Sequence, residues 1–150
     1  MFLVSAALAG DSVWTAPNGA SIHMPPAPGA TPPVAPWALL YWPTNDAFQS
    51  NVNIQQQSAP GGLDAWWLMS QGQFGAMGIT VVKSEKTSVN KHDALRIEYS
   101  GTMMGTALRW DALGIYVGTD VWLATCTAPE ATWATWKPIC KKAIDSFTVP

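Results

Sequence analysis

Between Ala94 and Ala128 the chain admits little other than antiparallel sheet. Leu95, Ile97 and Tyr99 alternate with Arg96, Glu98 and Ser100, the two-residue period of a strand with one buried and one wet face. Gly118-Thr119-Asp120 supplies a hairpin turn, and Val121 to Thr127 beyond it is rich in β-branched and aromatic residues. The stretch therefore reads as two antiparallel strands about that turn. Within the upstream arm, Met104 to Val117 reads as one long strand with a change of phase: Leu108 and Trp110 share one parity, and Leu113, Ile115 and Val117 the other. A bulge near Asp111-Ala112 would restore a single buried face. Pro129-Glu130 then opens a helical segment whose stripe is Trp133, Trp136, Cys140, Ala143 and Phe147, and Pro138 predicts a kink or break near Trp136.

The upstream elements can be added to this unit. Ser12 to Thr15 and Ala20 to Met24 flank Pro17-Asn18-Gly19, a tight-turn signal for a first hairpin. Met24 to Pro36 is proline-rich and cannot donate regular ladder bonds, so it should run as an extended loop before a short apolar strand from Trp37 to Trp42. Phe48, Ser50, Val52 and Ile54 alternate with Gln49, Asn51, Asn53 and Gln55, a strand with one polar face. Leu63, Trp67, Ser70, Phe74 and Met77 recur at helical spacing and stop at Gly78, which predicts a helix over Leu63 to Met77. Gly72 and Gly75 each weaken that helix by about 1 kcal/mol relative to Ala, so packing must hold it. Ile79 to Lys83 reads as a strand and Thr87 to Asp93 as a polar turn.

A chain of 150 residues with 48% hydrophobic and 12% charged content can bury one sizeable core. The expected organisation is one domain over residues 12 to 150, preceded by an apolar arm over residues 1 to 11. A net charge of -2 from few charges of both signs leaves no polyphosphate-seeking surface, which argues against nucleic acid as a partner. The arm ends in Ala7-Leu8-Ala9, the small-x-small form of a signal-peptidase site, but lacks a basic n-region and is far shorter than the roughly 20 residues a membrane span takes. It reads either as the remnant of a secretory signal or as an apolar docking arm. The expectation is an exported, periplasmic or extracellular protein, with any membrane association indirect. Cys126 and Cys140 are then either a disulfide or two buried free thiols.

No motif states an activity. His23 and His92 have no Cys, Asp or Glu at ligand spacing nearby, the glycines form neither a P-loop nor a dinucleotide fingerprint, and there is no nucleophile elbow. Arg96, Glu98, Arg109 and Asp111 sit where cross-strand ion pairs are the ordinary reading. These observations predict no catalytic residues, no metal and no cofactor.

Asn51-Val52-Asn53-Ile54, the strand-to-helix junction from Thr125 to Glu130, and Ser146-Phe147, set in an order of elements running from Val13 to Val149, resemble the PsbP-like superfamily. That group takes in the extrinsic PsbP subunit of photosystem II, DcrB-like bacterial lipoproteins, Eag-type chaperones of type VI secretion and a yeast Ran-release factor. The resemblance implies an α+β fold, a central antiparallel sheet of about six strands flanked by helices on both faces, the PsbP-like α/β/α sandwich. It also implies a non-catalytic role in binding or assembly. The proline-rich loop and the nine Trp depart from the pattern, and the acidic groove of Ran binding has no counterpart. Fold alone fixes no activity.

The functional expectation is an accessory module that binds a protein partner within a larger, membrane-associated assembly. A small-molecule or carbohydrate binder with a Trp-lined groove is the alternative, and an undetected hydrolase comes third. The candidate partner surface is the arm, Phe2, Leu3 and Val4, together with Trp37 and Trp42 beside the proline-rich loop as buried anchors at the interface. Trp66 is a further candidate, because Trp66 and Trp67 point about 100° apart on a helix and cannot face the sheet equally.

Overall fold

The computed structural model describes residues 12–27, 39–42 and 47–150. Two short strands, β1 (Ser12–Thr15) and β2 (Ser21–Met24), pair as a separate hairpin. The main sheet is built from β3 (Leu39–Tyr41), β4 (Asn51–Ser58), β5 (Thr80–Val89), β6 (His92–Met103), β7 (Thr106–Val117) and β8 (Asp120–Pro129). Its spatial order is β3-β4-β8-β7-β6-β5, with every neighbouring pair antiparallel. Helix α1 (Leu63–Ala76) lies between β4 and β5 in the chain, and α2 (Trp133–Asp145) follows a single 3-10 turn after β8.

Successive strand residues feed different layers, because side chains alternate across a sheet. Val52, Ala94, Leu113, Ile115 and Cys126 pack with Trp136, Cys140 and Ile144 of α2, and Ile22 and Met24 of β2 close that layer. Leu95, Ile97, Trp110, Ala112 and Val121 pack on the other face with Leu63 and Trp66 of α1. The result is the expected α+β sandwich, six antiparallel strands with a helix on each face. Side chains such as Trp42, Phe147 and Ile144 are almost wholly removed from solvent, and burial of each contributes about 2–3 kcal/mol before chain entropy is counted.

Several boundaries differ from the sequence reading. The central stretch holds three strands rather than two, because Met104 (φ 53°) and Gly105 (φ 79°) make an additional two-residue turn between β6 and β7. The expected bulge near Asp111-Ala112 is absent: β7 pairs without interruption from Met103↔Thr106 to Ala94↔Ile115 and from Leu108↔Pro129 to Val117↔Asp120. Leu108 and Trp110 face α1 while Leu113 and Ile115 face α2, so the change of phase records two buried faces and not a kink. A bulge does occur at Val81/Lys83 in β5, the edge strand. That strand runs through the segment read as a polar turn, which shrinks to Asn90-Lys91, both at positive φ. Helix α2 continues across Pro138. The proline forfeits one backbone bond early in the helix, and Trp133, Trp136 and Cys140 are buried on either side of it.

Candidate functional site

The candidate site is built around α1. Its sequence, LDAWWLMSQGQFGA, carries one charged residue, Asp64 in the first turn, where a carboxylate complements the helix dipole. The inner face is held by Leu63, Trp66 and Ser70. The Trp66 indole lies on Gly114, where a Cβ would stand 3.3 Å from its Cη2, and its Nε1 donates to Gln57 Oε1 at 2.8 Å. The Ser70 hydroxyl donates back to the Trp66 carbonyl at 2.9 Å. On the opposite side Leu68 is 72% exposed and Gly72 and Gly75 have open space over them, and on the flank Met69 is 55% exposed. The exposed side of the helix is thus poor in charge, with Asp64, Gln71 and Gln73 as its polar residues.

Beneath α1 runs a groove of about 300 Å³. One wall is the polar face of β4, Asn53, Gln55 and Gln57, and the other is Phe74 and Met77 at the end of α1. The floor is an aromatic chain: Phe74 lies 4.7 Å from Tyr99, and Tyr99 stacks on Trp110 at 5.0 Å and 15°. Burial pushes the Tyr99 hydroxyl up to about 12, against an opposing hydrogen bond with Thr125. No Asp, Glu, Lys, Arg or His lines this groove.

The other face carries the opposite chemistry. A groove of about 560 Å³ between α2 and the β5 side of the sheet is lined by four bases and four acids. Arg96 donates to both oxygens of Asp111, at 2.6 and 2.7 Å, and to Asp145. Arg109 donates to Glu98 at 2.7 Å and lies over the Trp133 ring, 5.5 Å from its centroid. Lys141 donates to Asp145 at 2.6 Å. Burial opposes the charge on both Arg96 and Asp145; the partners prevail, holding the guanidinium above its ordinary value and the carboxyl below the usual carboxylate range. These are the ion pairs expected from the sequence, made on diagonals of β6 and β7 and extended to α2. They clasp the helix to the sheet.

Two of the tryptophans expected at the surface, Trp42 and Trp66, are buried. Trp42 is fully buried in its own chain: its Nε1 donates to the Pro25 carbonyl at 2.9 Å and its ring stands 5.3 Å from that of Trp136. Its large apolar ring fills the α2 layer, so it has no free surface to offer as an anchor. Trp66 is 3% exposed for the same reason on the other face, and Trp67 is the half-buried one of the pair. Phe2, Leu3, Val4 and Trp37 lie outside the described residues, as does most of the proline-rich loop. The sulfur atoms of Cys126 on β8 and Cys140 on α2 stand at bonding distance, 2.12 Å, with Cα atoms 5.5 Å apart. Among the described residues no group of three His, Cys, Asp or Glu is placed to hold a metal, and no helix is long and apolar enough to cross a membrane. Sequence reasoning missed Leu68 and Met69; the signal was the single charge in fourteen helical residues.

No family model matches the sequence, and no curated protein is similar to it in sequence. Solved structures are similar in fold. PA94 of Pseudomonas aeruginosa, a protein of unknown function described as a putative regulator, superposes with a TM-score of 0.63 at 16% identity over 94% of this chain and 97% of its own. CyanoP, the cyanobacterial PsbP of Synechocystis sp. PCC 6803, gives 0.62 at 13% identity over 100% and 98%. LpqN of Mycobacterium tuberculosis, involved in cell envelope biogenesis, gives 0.61 at 11% identity over 93% and 91%. Likeness at such identities speaks for architecture alone, and on that ground the chain has the PsbP-like fold that its elements resemble.

Proposed function

We propose that this protein is a non-catalytic, exported accessory module that binds a protein partner through the outer face of α1. The observation that carries the reading is that face itself: Leu68 and Met69 exposed, Gly72 and Gly75 uncovered, and no charge beyond Asp64. Leaving a Leu side chain in water forgoes about 2 kcal/mol that burial would recover, and a contiguous uncharged face of this kind is characteristic of interaction sites. Met69 adds an adaptable side chain suited to such a surface, and the two glycines let a partner backbone come close. The partner is accordingly expected to present an apolar surface of its own. Export is supported by the placing of Cys126 and Cys140, since a buried disulfide persists in oxidising compartments. An envelope role fits that of LpqN, which is involved in cell envelope biogenesis and is similar in fold.

The test is site-specific photo-crosslinking in the native host, with the crosslinker at Leu68 and, as a control, at Lys91 on the β5–β6 turn. A discrete adduct from Leu68 and none from Lys91 is the expected outcome. Leu68→Asp should abolish the association while circular dichroism and thermal midpoint stay within a few degrees of the parent, because the side chain is largely exposed. Equal adducts from both positions, or association that survives Leu68→Asp, would place the interface elsewhere.

A further inference from the structure

The groove under α1 has a chemistry of its own, distinct from the face that α1 turns outward. Its walls offer hydrogen-bonding amides on one side and an aromatic edge on the other, and it holds no formal charge. In a chain with eighteen charged side chains, a groove lined by neutral polar groups and a larger apolar share, which none of the charges enters, selects against ionic ligands. Gln57 is engaged with Trp66 and Gln55, whereas Asn53 and Gln73 make no side-chain hydrogen bond among the described residues. Phe74 is half-buried, and one of its sides lines the groove. Tyr99 and Thr125 keep neutral hydroxyls at the base.

We infer that this groove is a binding site for a neutral, hydroxyl-bearing ring of the saccharide class, with the amides of Asn53 and Gln73 and the Nε2 of Gln55, whose Oε1 already accepts from Gln57, meeting its hydroxyls and Phe74 its apolar face. Amides both donate and accept, which matches hydroxyls and offers no advantage to a carboxylate or an ammonium group. An aromatic wall facing a few convergent polar groups, in a volume of about 300 Å³, suits one ring or two. The inference goes beyond partner docking on the outer face and stands or falls apart from it.

The experiment titrates the full chain with a panel of neutral sugars (glucose, galactose, mannose, maltose and cellobiose) and with glucuronate and glucosamine as charged counterparts. Side-chain amide resonances and Trp emission are the readouts. At least one neutral sugar should give saturable shifts of the Asn53 and Gln55 amides, and its charged counterpart should bind at least ~10-fold more weakly. Asn53→Ala and Gln55→Ala should each weaken binding about 10-fold, near the upper range for one lost hydrogen bond. Leu68→Asp should leave sugar binding unchanged, and Asn53→Ala should leave partner crosslinking unchanged, so failure of one reading is told from failure of the other. The inference is overturned if no neutral sugar moves those amides, if binding survives both Ala substitutions, or if glucuronate binds as well as glucose.

Discussion

At the scale of single residues, two positions show how closely the α1 layer is fitted. Gly114 sits on β7 directly beneath Trp66, and a Cβ there would stand 3.2 Å from Val121 Cγ1 and 3.3 Å from Trp66 Cη2. Gly114→Ala should therefore destabilise by about 1–3 kcal/mol, the usual cost of overpacking, read as a lowered denaturation midpoint. Gly72 is the contrasting case, with open space where a Cβ would go, so Gly72→Ala should stabilise the helix by about 0.5–1 kcal/mol. Both changes moving stability the same way would contradict the packing described. Tyr99 makes a pH prediction. Its folded-state pKa is raised from 10.0 to about 12 by burial, so the folded protein holds its proton where the unfolded chain loses it. Stability from this group is intact below pH 10 and declines as pH rises from there through 12, by at most about 1.4 kcal/mol per pH unit. The stability difference between parent and Tyr99→Phe should be constant below pH 10 and change only in that alkaline window, and a constant difference through it would refute the assignment.

At the scale of elements, what the sequence disclosed depended on how one-sided the burial is. β4 was legible from Asn51 to Gln55 because Val52 and Ile54 face the α2 layer while Asn53 and Gln55 face the open groove. α1 was placed to within a residue because Leu63, Ser70 and Phe74 keep helical spacing. β7 was legible as a strand and misread in phase, since covering it on both faces erases the alternation that marks a strand. β5 was half missed for the opposite reason: as an edge strand it is exposed along nearly its whole length, and Lys83, Glu85 and Lys86 look like loop. Of the candidate surface residues, Trp42 and Trp66 are buried, and Phe2, Leu3, Val4 and Trp37 lie outside the described residues. Tryptophan drew attention to large side chains, five of which (Trp42, Trp66, Trp110, Trp133 and Trp136) the core absorbs, while the uncovered side of α1 is written in Leu68, Met69 and two glycines that carry no sequence signature of function.

At the scale of the whole molecule, the strand order carries a consequence for how the chain reaches its fold. β5, β6, β7 and β8 are joined by two-residue turns, so each finds its neighbour by closing a minimal loop. β4 instead pairs with β8, joining Ser58 to Asp120 and Asn51 to Thr127, pairs 62 and 76 residues apart. Closing a loop of that length costs roughly 3 kcal/mol more than closing a two-residue one by the logarithmic rule, and that cost falls before any β4 contact offsets it. Pulse-labelled hydrogen exchange during refolding should protect β6 and β7 amides first and β4 amides later; simultaneous protection would mean that the long loop is closed from the outset. In the interval before β4 arrives, β8 is an open edge with Val121, Leu123 and Cys126 along it, and a nascent chain is most adhesive to its own kind at that moment.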